Sequence, residues 1–398
     1  MSLAGGRDYL AIPGPSVMPD RVLRAMHRAA PNIYEGPLVD MVPTIIDRLK
    51  AVAGTRHQAA IYIANGHGVW EAALANILAP GDTVLVVGTG RFAHAWGDMA
   101  AGLGGRVETV DFGKRAPADP EQIAAVLRAD TARRIKVVLG VHVDTSTSIR
   151  NDMGAIRGAI DAAGHPALFA ADCICSLACD RVDMDGWGAD VLVAACQKGL
   201  MTPPGLGFVF FNDKAAAARA GQQRVSRYWD WNPRVRPADF SDYFNGTAPT
   251  HHLFGLNEAL DMLAEEGLGH VLGRHARMAR AVWAALDAWG VGGPVELNVP
   301  VAANRCHAVT AVRISPQHGT RLREWVAANT GVTLGIGLGM VARDDPAWHG
   351  FFRIGHMGHM DAHMVLGVLA ATEAGLQALD IPHGPGALAA AAAVIADR

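Results

Sequence analysis

Short runs of apolar residues recur along the first half of the chain with almost no polar position inside them. A strand that is covered on both faces shows this continuous pattern, whereas a strand with one solvated face alternates. The runs therefore predict buried strands of a layered fold. They cover residues 59–64, 83–88, 136–143, 167–173, 190–196 and 206–211.

Segments with helical periodicity lie between these runs. Residues 69–78, 119–129 and 153–164 carry apolar positions three and four apart, with Asp119 placed to cap the second segment and Gly164 ending the third. Strands that alternate with helices favour parallel pairing with helices on both faces of the sheet. We therefore predict an α/β fold with a mostly parallel, doubly wound sheet.

A long helical pattern over residues 253–290, interrupted by two glycines, leads to a second and smaller unit. That unit has one predicted strand at 307–314 and two predicted helices at 318–331 and 364–379. Its mixture of elements indicates an α+β domain. The predicted division is an N-terminal arm (1–17), a large domain (18–252), and a connecting helix with a small C-terminal domain (253–398).

Composition narrows the class of function. Half of the 398 residues are hydrophobic, 18% are charged, and the formal net charge is −3. This balance offers no basic surface for nucleic acid, and the start MSLAGGRDYLAIPGP has neither signal-peptide nor membrane-helix character. The odd number of cysteines, five, argues against a disulfide framework and for a reducing compartment. We therefore expect a cytoplasmic protein whose partner is a small molecule.

Polar residues cluster where the predicted strands end. Residues 65–68, 144–147, Asp172 and Gln197-Lys198 each follow an apolar run. Ligands of open parallel sheets bind beyond the carboxyl ends of the strands, so these residues are expected at one edge. The segment 65–68 also opens a helix, and the backbone N–H groups of a helix start can hold a phosphate.

Lys198 stands between two buried runs, VLVAAC and LGFVFF. Loss of solvation lowers the pKa of such a lysine and frees its amine to attack a carbonyl, although a lysine paired with Asp172 or Asp190 would fit the same position. Asp172 ends the preceding predicted strand, 26 residues earlier. A reactive lysine, an anion for a pyridinium nitrogen and a phosphate cradle form the set that pyridoxal 5'-phosphate (PLP) requires.

Longer stretches carry a family resemblance. VDMDGWGADVLVAACQKGLMTPPGLGF, with the aspartate of ADCICSL upstream, resembles the class V aminotransferases of PLP fold type I, close to the alanine/serine–glyoxylate aminotransferases. ANGHGVWEAALANILAPGDTVLVV resembles the family's phosphate-loop helix, VHVDTSTSI its ring-contact loop, and FFRIGHMG the segment that carries its substrate-binding arginine. The resemblance extends over nearly the whole chain.

The resemblance implies a role for each matching residue. Lys198 would bind the cofactor as an imine and later move a proton from the substrate Cα. Asp172 would keep the pyridine nitrogen protonated, and Gly66 and His67 would contact the phosphate and the ring face. The resemblance further assigns cofactor contacts to Asn65, Phe92, Thr145 and Gln197, a phosphate contact from the neighbouring subunit to Thr247, and the substrate carboxylate to Arg353.

The reaction implied is a ping-pong transfer from serine or alanine to glyoxylate or pyruvate, through a pyridoxamine phosphate form. The role of Thr247 implies a homodimer with shared active sites. Residues 31–41, PNIYEGPLVDM, look more like the corresponding segment of pyridoxamine–pyruvate aminotransferase, which leaves that reaction as the alternative.

Two other kinds of chemistry have weaker support. Cys306 raises the alternative of a cysteine desulfurase of the same fold, but those enzymes usually carry histidine where Gln197 precedes the lysine. We also expect no metal site, although two sets of potential ligands occur. The cysteine set lacks a second cluster that would complete a zinc site, and the histidine set lacks the glutamate of a zinc hydrolase helix. The sets are Cys173, Cys175 and Cys179, and His356, His359 and His363.

Overall fold

The computed structural model describes residues 2–397, and within them twelve strands form one sheet of seven strands and one of five. The strands are β1 (Tyr9–Ala11), β2 (Gln58–Ala64), β3 (Thr83–Gly88), β4 (Arg106–Asp111), β5 (Ile135–Val141), β6 (Leu168–Asp172), β7 (Val191–Ala195), β8 (Gly205–Phe211), β9 (Glu296–Leu297), β10 (Val309–Arg313), β11 (Val332–Ile336) and β12 (Phe351–Gly355).

Helices cover both faces of the larger sheet and one side of the smaller. They are α1 (Asp20–Met26), α2 (Pro37–Val52), α3 (Gly66–Ile77), α4 (Arg91–Gly102), α5 (Pro120–Ala129), α6 (Met153–Ala162), α7 (Met184–Trp187), α8 (Asp213–Ala220), α9 (Trp231–Val235), α10 (Thr250–Glu266), α11 (Leu268–Gly290), α12 (Gly319–Thr330), α13 (Ala362–Ala378) and α14 (Ala387–Ala396).

The seven-stranded sheet has the order β2-β8-β7-β6-β5-β3-β4. Its neighbours pair in parallel from β7 to β4, while β8 runs antiparallel to both β7 and β2. The predicted doubly wound α/β fold with a mostly parallel sheet is confirmed. All six predicted buried strands are present, within two residues of the predicted ends.

Alternate residues of one strand enter two separate hydrophobic clusters. In β3, Leu85 and Val87 pack into the cluster on one face of the sheet, and Val84 and Val86 pack into the cluster on the other. Both faces are therefore sealed by helices. This explains why the strand has no polar position and leaves its carboxyl end as the place where polar groups meet.

The five-stranded sheet has the order β1-β11-β12-β10-β9, with β1 parallel to β11. Tyr9 pairs with Val332 and Ala11 pairs with Leu334. Residues 9–11, part of the predicted N-terminal arm, thus form the edge strand of the C-terminal unit's sheet.

Helices α10 and α11 replace the single long helical pattern predicted over 253–290. They meet at Gly267, which has φ +80°, a conformation that glycine adopts without strain. Gly269 lies within α11 and does not interrupt it. No helix among residues 2–397 is both long and apolar enough to cross a membrane.

Candidate active site

A cavity of about 290 Å³ lies at the carboxyl ends of the large-domain strands. Its walls come from segments that follow β2, β3, β5, β6 and β7, and from the chain just after β1. Eight of the ten predicted site residues line it, as expected for the carboxyl edge of a parallel sheet. They are Asn65, Gly66, His67, Phe92, Thr145, Asp172, Gln197 and Lys198.

The start of helix α3 forms one end of the cavity. Asn65 caps this helix, its side chain accepting a hydrogen bond from the Gly68 N–H at 3.1 Å. Gly66 and His67 are the first two residues of α3, so no carbonyl of a preceding helical turn accepts from their N–H groups. These N–H groups have no partner among residues 2–397 and can donate to an anion. A Cβ on Gly66 would lie 2.7 Å from the end of the Ile174 side chain, so a larger residue here would displace that side chain from the cavity wall.

Asp172 ends strand β6 with its carboxylate inside the cavity wall. One oxygen accepts a hydrogen bond from the Trp70 indole N–H at 2.9 Å, and the other from the Ile174 N–H at 2.7 Å. Burial raises the pKa of Asp172 to about 7, against the opposing effect of these two donors. A buried carboxylate with fixed direction and little solvation is stabilised by a cationic ligand placed against it.

Lys198 follows strand β7, the parallel neighbour of β6, and its side chain is partly buried. Its Nζ donates to the Pro13 carbonyl oxygen. Burial lowers the pKa of Lys198, and the nearby positive charge of Arg353 lowers it further. Both effects increase the fraction of neutral amine, the form that reacts with a carbonyl.

Aromatic side chains form another wall of the cavity. The His67 ring lies with its centroid 4.7 Å from that of Trp70 and 6.5 Å from that of Phe92. Burial lowers the pKa of His67, and Arg91 contributes in the same direction. A neutral, flat imidazole beside an aromatic cluster is suited to contact the face of a planar ring.

The loop after β5 fixes Thr145 and the start of helix α4. The buried Asp144 accepts hydrogen bonds from the N–H groups of Phe92 and Ser146, both at 2.9 Å. These bonds hold the loop against α4 and so place Phe92 and Thr145 at the cavity. The sequence indicates Asp144 only as one of several polar residues at strand ends.

Arg353 lies in strand β12 of the small sheet and is buried without lining the cavity itself. Its Nε donates to the Ile336 carbonyl at 2.7 Å and its Nη1 to the Thr145 carbonyl at 2.8 Å. Burial lowers the pKa of Arg353 to about 10, so the guanidinium stays charged at neutral pH. Nη2 has no acceptor among residues 2–397, which leaves donors for a carboxylate.

The remaining predicted groups lie elsewhere. Thr247 is exposed and does not line the cavity of its own chain. Cys306 is buried, its thiol donating to the Val309 carbonyl at 3.2 Å. Among the described residues, no group of three or more His, Cys, Asp or Glu side chains is arranged to hold a metal ion.

The sequence does not indicate seven of the cavity residues as site residues: Gly14, Pro15, Trp70, Val143, Ile174, Cys175 and Pro204. Helical spacing could have indicated Trp70, because it lies three residues after His67 on the same face of α3. Strand spacing gives a similar signal for Ile174, two residues after Asp172. The arm residue Gly14 comes close to Lys198 only through tertiary pairing, for which the sequence carries no local signal.

The cavity residues fit PLP. Free N–H groups at a helix start suit a phosphate, the buried Asp172 carboxylate suits a protonated ring nitrogen, and Lys198 suits the aldehyde carbon. Gln197 supports a ligand here as well, because its buried Oε1 has no hydrogen-bond partner within the described chain. Buried polar atoms are rarely left without a partner unless a ligand or water completes them.

Comparison with known proteins identifies the family of the chain. The family model described as aminotransferase class-V matches residues 38–362. Serine–glyoxylate aminotransferase of Methylorubrum extorquens is 36% identical and covers 97% of this chain and 95% of its own. L-aspartate–glyoxylate aminotransferase of Paracoccus denitrificans is 34% identical, covering 96% and 94%.

Solved structures resemble the fold over its full length. The ureidoglycine–glyoxylate aminotransferase of Bacillus subtilis has a TM-score of 0.88 at 26% identity and covers 100% of both chains. The pyridoxamine–pyruvate aminotransferase of Mesorhizobium loti has a TM-score of 0.88 at 24% identity, covering 99% of both, and this likeness shows the fold alone. The chain belongs to the class V aminotransferases and is a PLP-dependent aminotransferase of fold type I.

Proposed function

We propose that this enzyme transfers the amino group of a small amino acid, serine or alanine, to glyoxylate or pyruvate in two half-reactions that share one pocket. The observation that carries the proposal is the meeting of Lys198 and Asp172 from adjacent parallel strands at one cavity. Relatives that match nearly the whole chain are named for serine–glyoxylate and L-aspartate–glyoxylate transamination, which supports glyoxylate as the acceptor.

Each residue has a physical task in this proposal. PLP, when bound, accepts the electrons released at the substrate Cα. Lys198 takes the proton from that carbon, because burial keeps part of its amine neutral. The negative charge of Asp172 would keep the ring nitrogen protonated. Trp70 fixes the orientation of the Asp172 carboxylate through the 2.9 Å hydrogen bond. Arg353 binds the substrate carboxylate through its remaining N–H groups.

A desulfurase function has less support. Sulfur transfer in a desulfurase needs a cysteine that can reach the substrate, whereas Cys306 is buried outside the cavity lining. Burial also raises the pKa of the Cys306 thiol, which keeps it protonated and a poor nucleophile. The structural likeness to a cysteine desulfurase, at 15% sequence identity, is one of fold alone.

We further propose a cytoplasmic homodimer in which Thr247 of each subunit reaches the cavity of the other. In support, Thr247 is exposed and outside the cavity of its own chain. The five cysteines are all free in the structure, as is usual for proteins of reducing compartments.

The donor is tested by half-reactions followed in the absorption spectrum of the bound cofactor. Serine, alanine, aspartate and pyridoxamine are mixed one at a time with the holoenzyme in the absence of any oxo acid. We expect serine or alanine to convert the PLP band to that of the pyridoxamine phosphate form, and glyoxylate to restore it. Conversion by pyridoxamine alone would favour the alternative reaction and contradict the proposal.

The substrate clamp is tested by Arg353→Lys. Lysine keeps the charge but loses the planar fork that bonds Ile336 and Thr145, so we expect substrate binding to weaken by about 1.5–3 kcal/mol, or roughly ten- to a hundredfold. Apparent KM values for amino acid and oxo acid should rise together, since both use one pocket. Arg313→Lys, on the neighbouring strand β10, is the matched control and should leave both values unchanged. Unaltered KM values in Arg353→Lys would refute the clamp.

A further inference from the structure

The segment between β1 and α1 lies directly against residues 196–204, the loop between β7 and β8 that carries Lys198 (the lysine loop). The Ser16 hydroxyl donates to the Lys198 carbonyl at 2.7 Å, and the Ser16 N–H donates to the Gln197 carbonyl at 2.9 Å. The Lys198 amine in turn donates to the Pro13 carbonyl. The two segments are therefore joined at both the backbone and the side chain of the lysine.

Gly14 is placed where any side chain would collide with this lysine. A Cβ on Gly14 would lie 2.5 Å from Lys198 Nζ and 2.7 Å from both Cδ and Cε. Gly14 also has φ +97°, which side chains rarely adopt. Gly14 thus provides both a backbone conformation and the space that the end of the lysine side chain occupies.

The small sheet fixes this segment from the other side. Strand β1 pairs with β11, and a Cβ on Gly335 of β11 would lie 2.7 Å from Pro13 Cδ. A Cβ on Gly358, just after β12, would lie 3.1 Å from Ser16 Oγ. Residues 13–16 are therefore packed between the small sheet and the lysine loop, so their position is set by both.

We propose that Pro13 and Gly14 are positioning residues for Lys198, with the Pro13 carbonyl directing the amine and Gly14 leaving the space that it fills. This inference rests on the proposed role of Lys198 as the lysine that bonds PLP. A carbonyl acceptor fixes the direction of the amine and favours its protonated form, which opposes the effect of burial. The arm therefore sets both where the reactive nitrogen lies and how readily it reacts.

The test is the capture of PLP by apoenzyme of Gly14→Ala. Displacement of the amine should slow formation of the covalent bond by about ten- to a hundredfold, because misplaced reacting groups lose rates of this order. Formation of the covalent bond between PLP and the lysine is followed by absorbance. The bond is then reduced with borohydride, and the labelled peptide is identified by mapping. Pyridoxamine phosphate, which has no aldehyde and cannot bond the lysine, should bind within about threefold of wild type.

Gly36→Ala is the matched control, because Gly36 has φ +90° and a Cβ at that position would meet no atom within 4 Å. It carries a comparable backbone strain without a collision and should capture PLP at the wild-type rate. Equal capture rates in Gly14→Ala and Gly36→Ala, or an equal loss of pyridoxamine phosphate binding, would overturn the inference. Wild-type enzyme that fixes PLP on another lysine would instead refute the proposed role of Lys198, and the inference with it.

Ser16→Ala provides a second variant without backbone strain, in case Gly14→Ala does not fold. It removes the 2.7 Å hydrogen bond to the Lys198 carbonyl and loosens the same segment. We expect capture about three- to tenfold slower with pyridoxamine phosphate binding unchanged. A wild-type capture rate in this variant would show that the segment does not position the lysine.

Discussion

Lys198→Ala is expected to lower turnover by roughly ten-thousandfold, because it removes the group that bonds the cofactor and moves the proton at the substrate Cα. The variant should still bind PLP through the α3 start and Asp172, but borohydride should no longer fix the cofactor to the protein. Steady-state kinetics and peptide mapping after reduction measure the two effects.

Lys214→Ala is the control for this experiment. Lys214 donates to the Ala167 carbonyl at 2.9 Å and lies 3.4 Å from Asp190, near the amino ends of β6 and β7. It is therefore at the opposite edge of the sheet from the cavity, and its loss should leave turnover within about twofold of wild type. Retained turnover in Lys198→Ala, or a borohydride label on Lys214, would show that another lysine carries the cofactor.

Asp172→Asn should retain the cofactor but lower turnover by about a thousandfold, comparable with the removal of a major electrostatic stabiliser. A neutral amide cannot hold the ring nitrogen protonated, so loss of the Cα proton should become the slow step. An isotope effect from deuterium at Cα measures this. Asp190→Asn is the control, since Asp190 is also buried and accepts from the Phe169 N–H at 2.8 Å, but at the other edge of the sheet. Similar losses in both variants would point to general destabilisation.

The free energy of unfolding of the apoenzyme should depend on pH through the titration of the Asp172 carboxylate. Because burial raises the pKa of Asp172 to about 7, the folded chain keeps this proton where the unfolded chain has released it. The stability that Asp172 contributes is present below about pH 4 and is lost as pH rises through about 7. Between about pH 5 and about pH 8 the loss is about 2.5 kcal/mol, which Asp172→Asn should not show. Urea unfolding of both apoenzymes measures the difference, and parallel pH profiles would contradict this expectation.

The strands of the large sheet that are covered on both faces could be predicted from sequence, and the partly exposed strands β4 and β11 could not. Burial on both sides forces apolar residues at every position, as in β3 and β7. Strand β4 at the sheet edge has only exposed and half-buried residues, RVETVD, and β11 includes a glycine and an exposed Ile336. Their strand conformation follows from pairing with distant residues rather than from a local pattern.

The same distinction applies to the site. Residues at strand ends, such as Asp172 and Lys198, were predicted because chain order and strand direction place them at one edge. Gly14 was not, because its position depends on the pairing of β1 with β11. The sequence indicates Cys175 only as a possible metal ligand, whereas in the structure it lines the cavity as a buried thiol whose pKa burial raises to about 11.

The pairing of Tyr9 with Val332 also bears on the order in which the chain folds. All seven strands of the large sheet lie between residues 58 and 211, so that sheet can close while later residues are still being synthesised. Strand β1 is made before any of them and must wait, unpaired, until β11 emerges from the ribosome. Contacts of such long sequence separation form slowly. We therefore expect β1 to dock last, so that the lysine loop acquires its final surroundings only when synthesis is nearly complete.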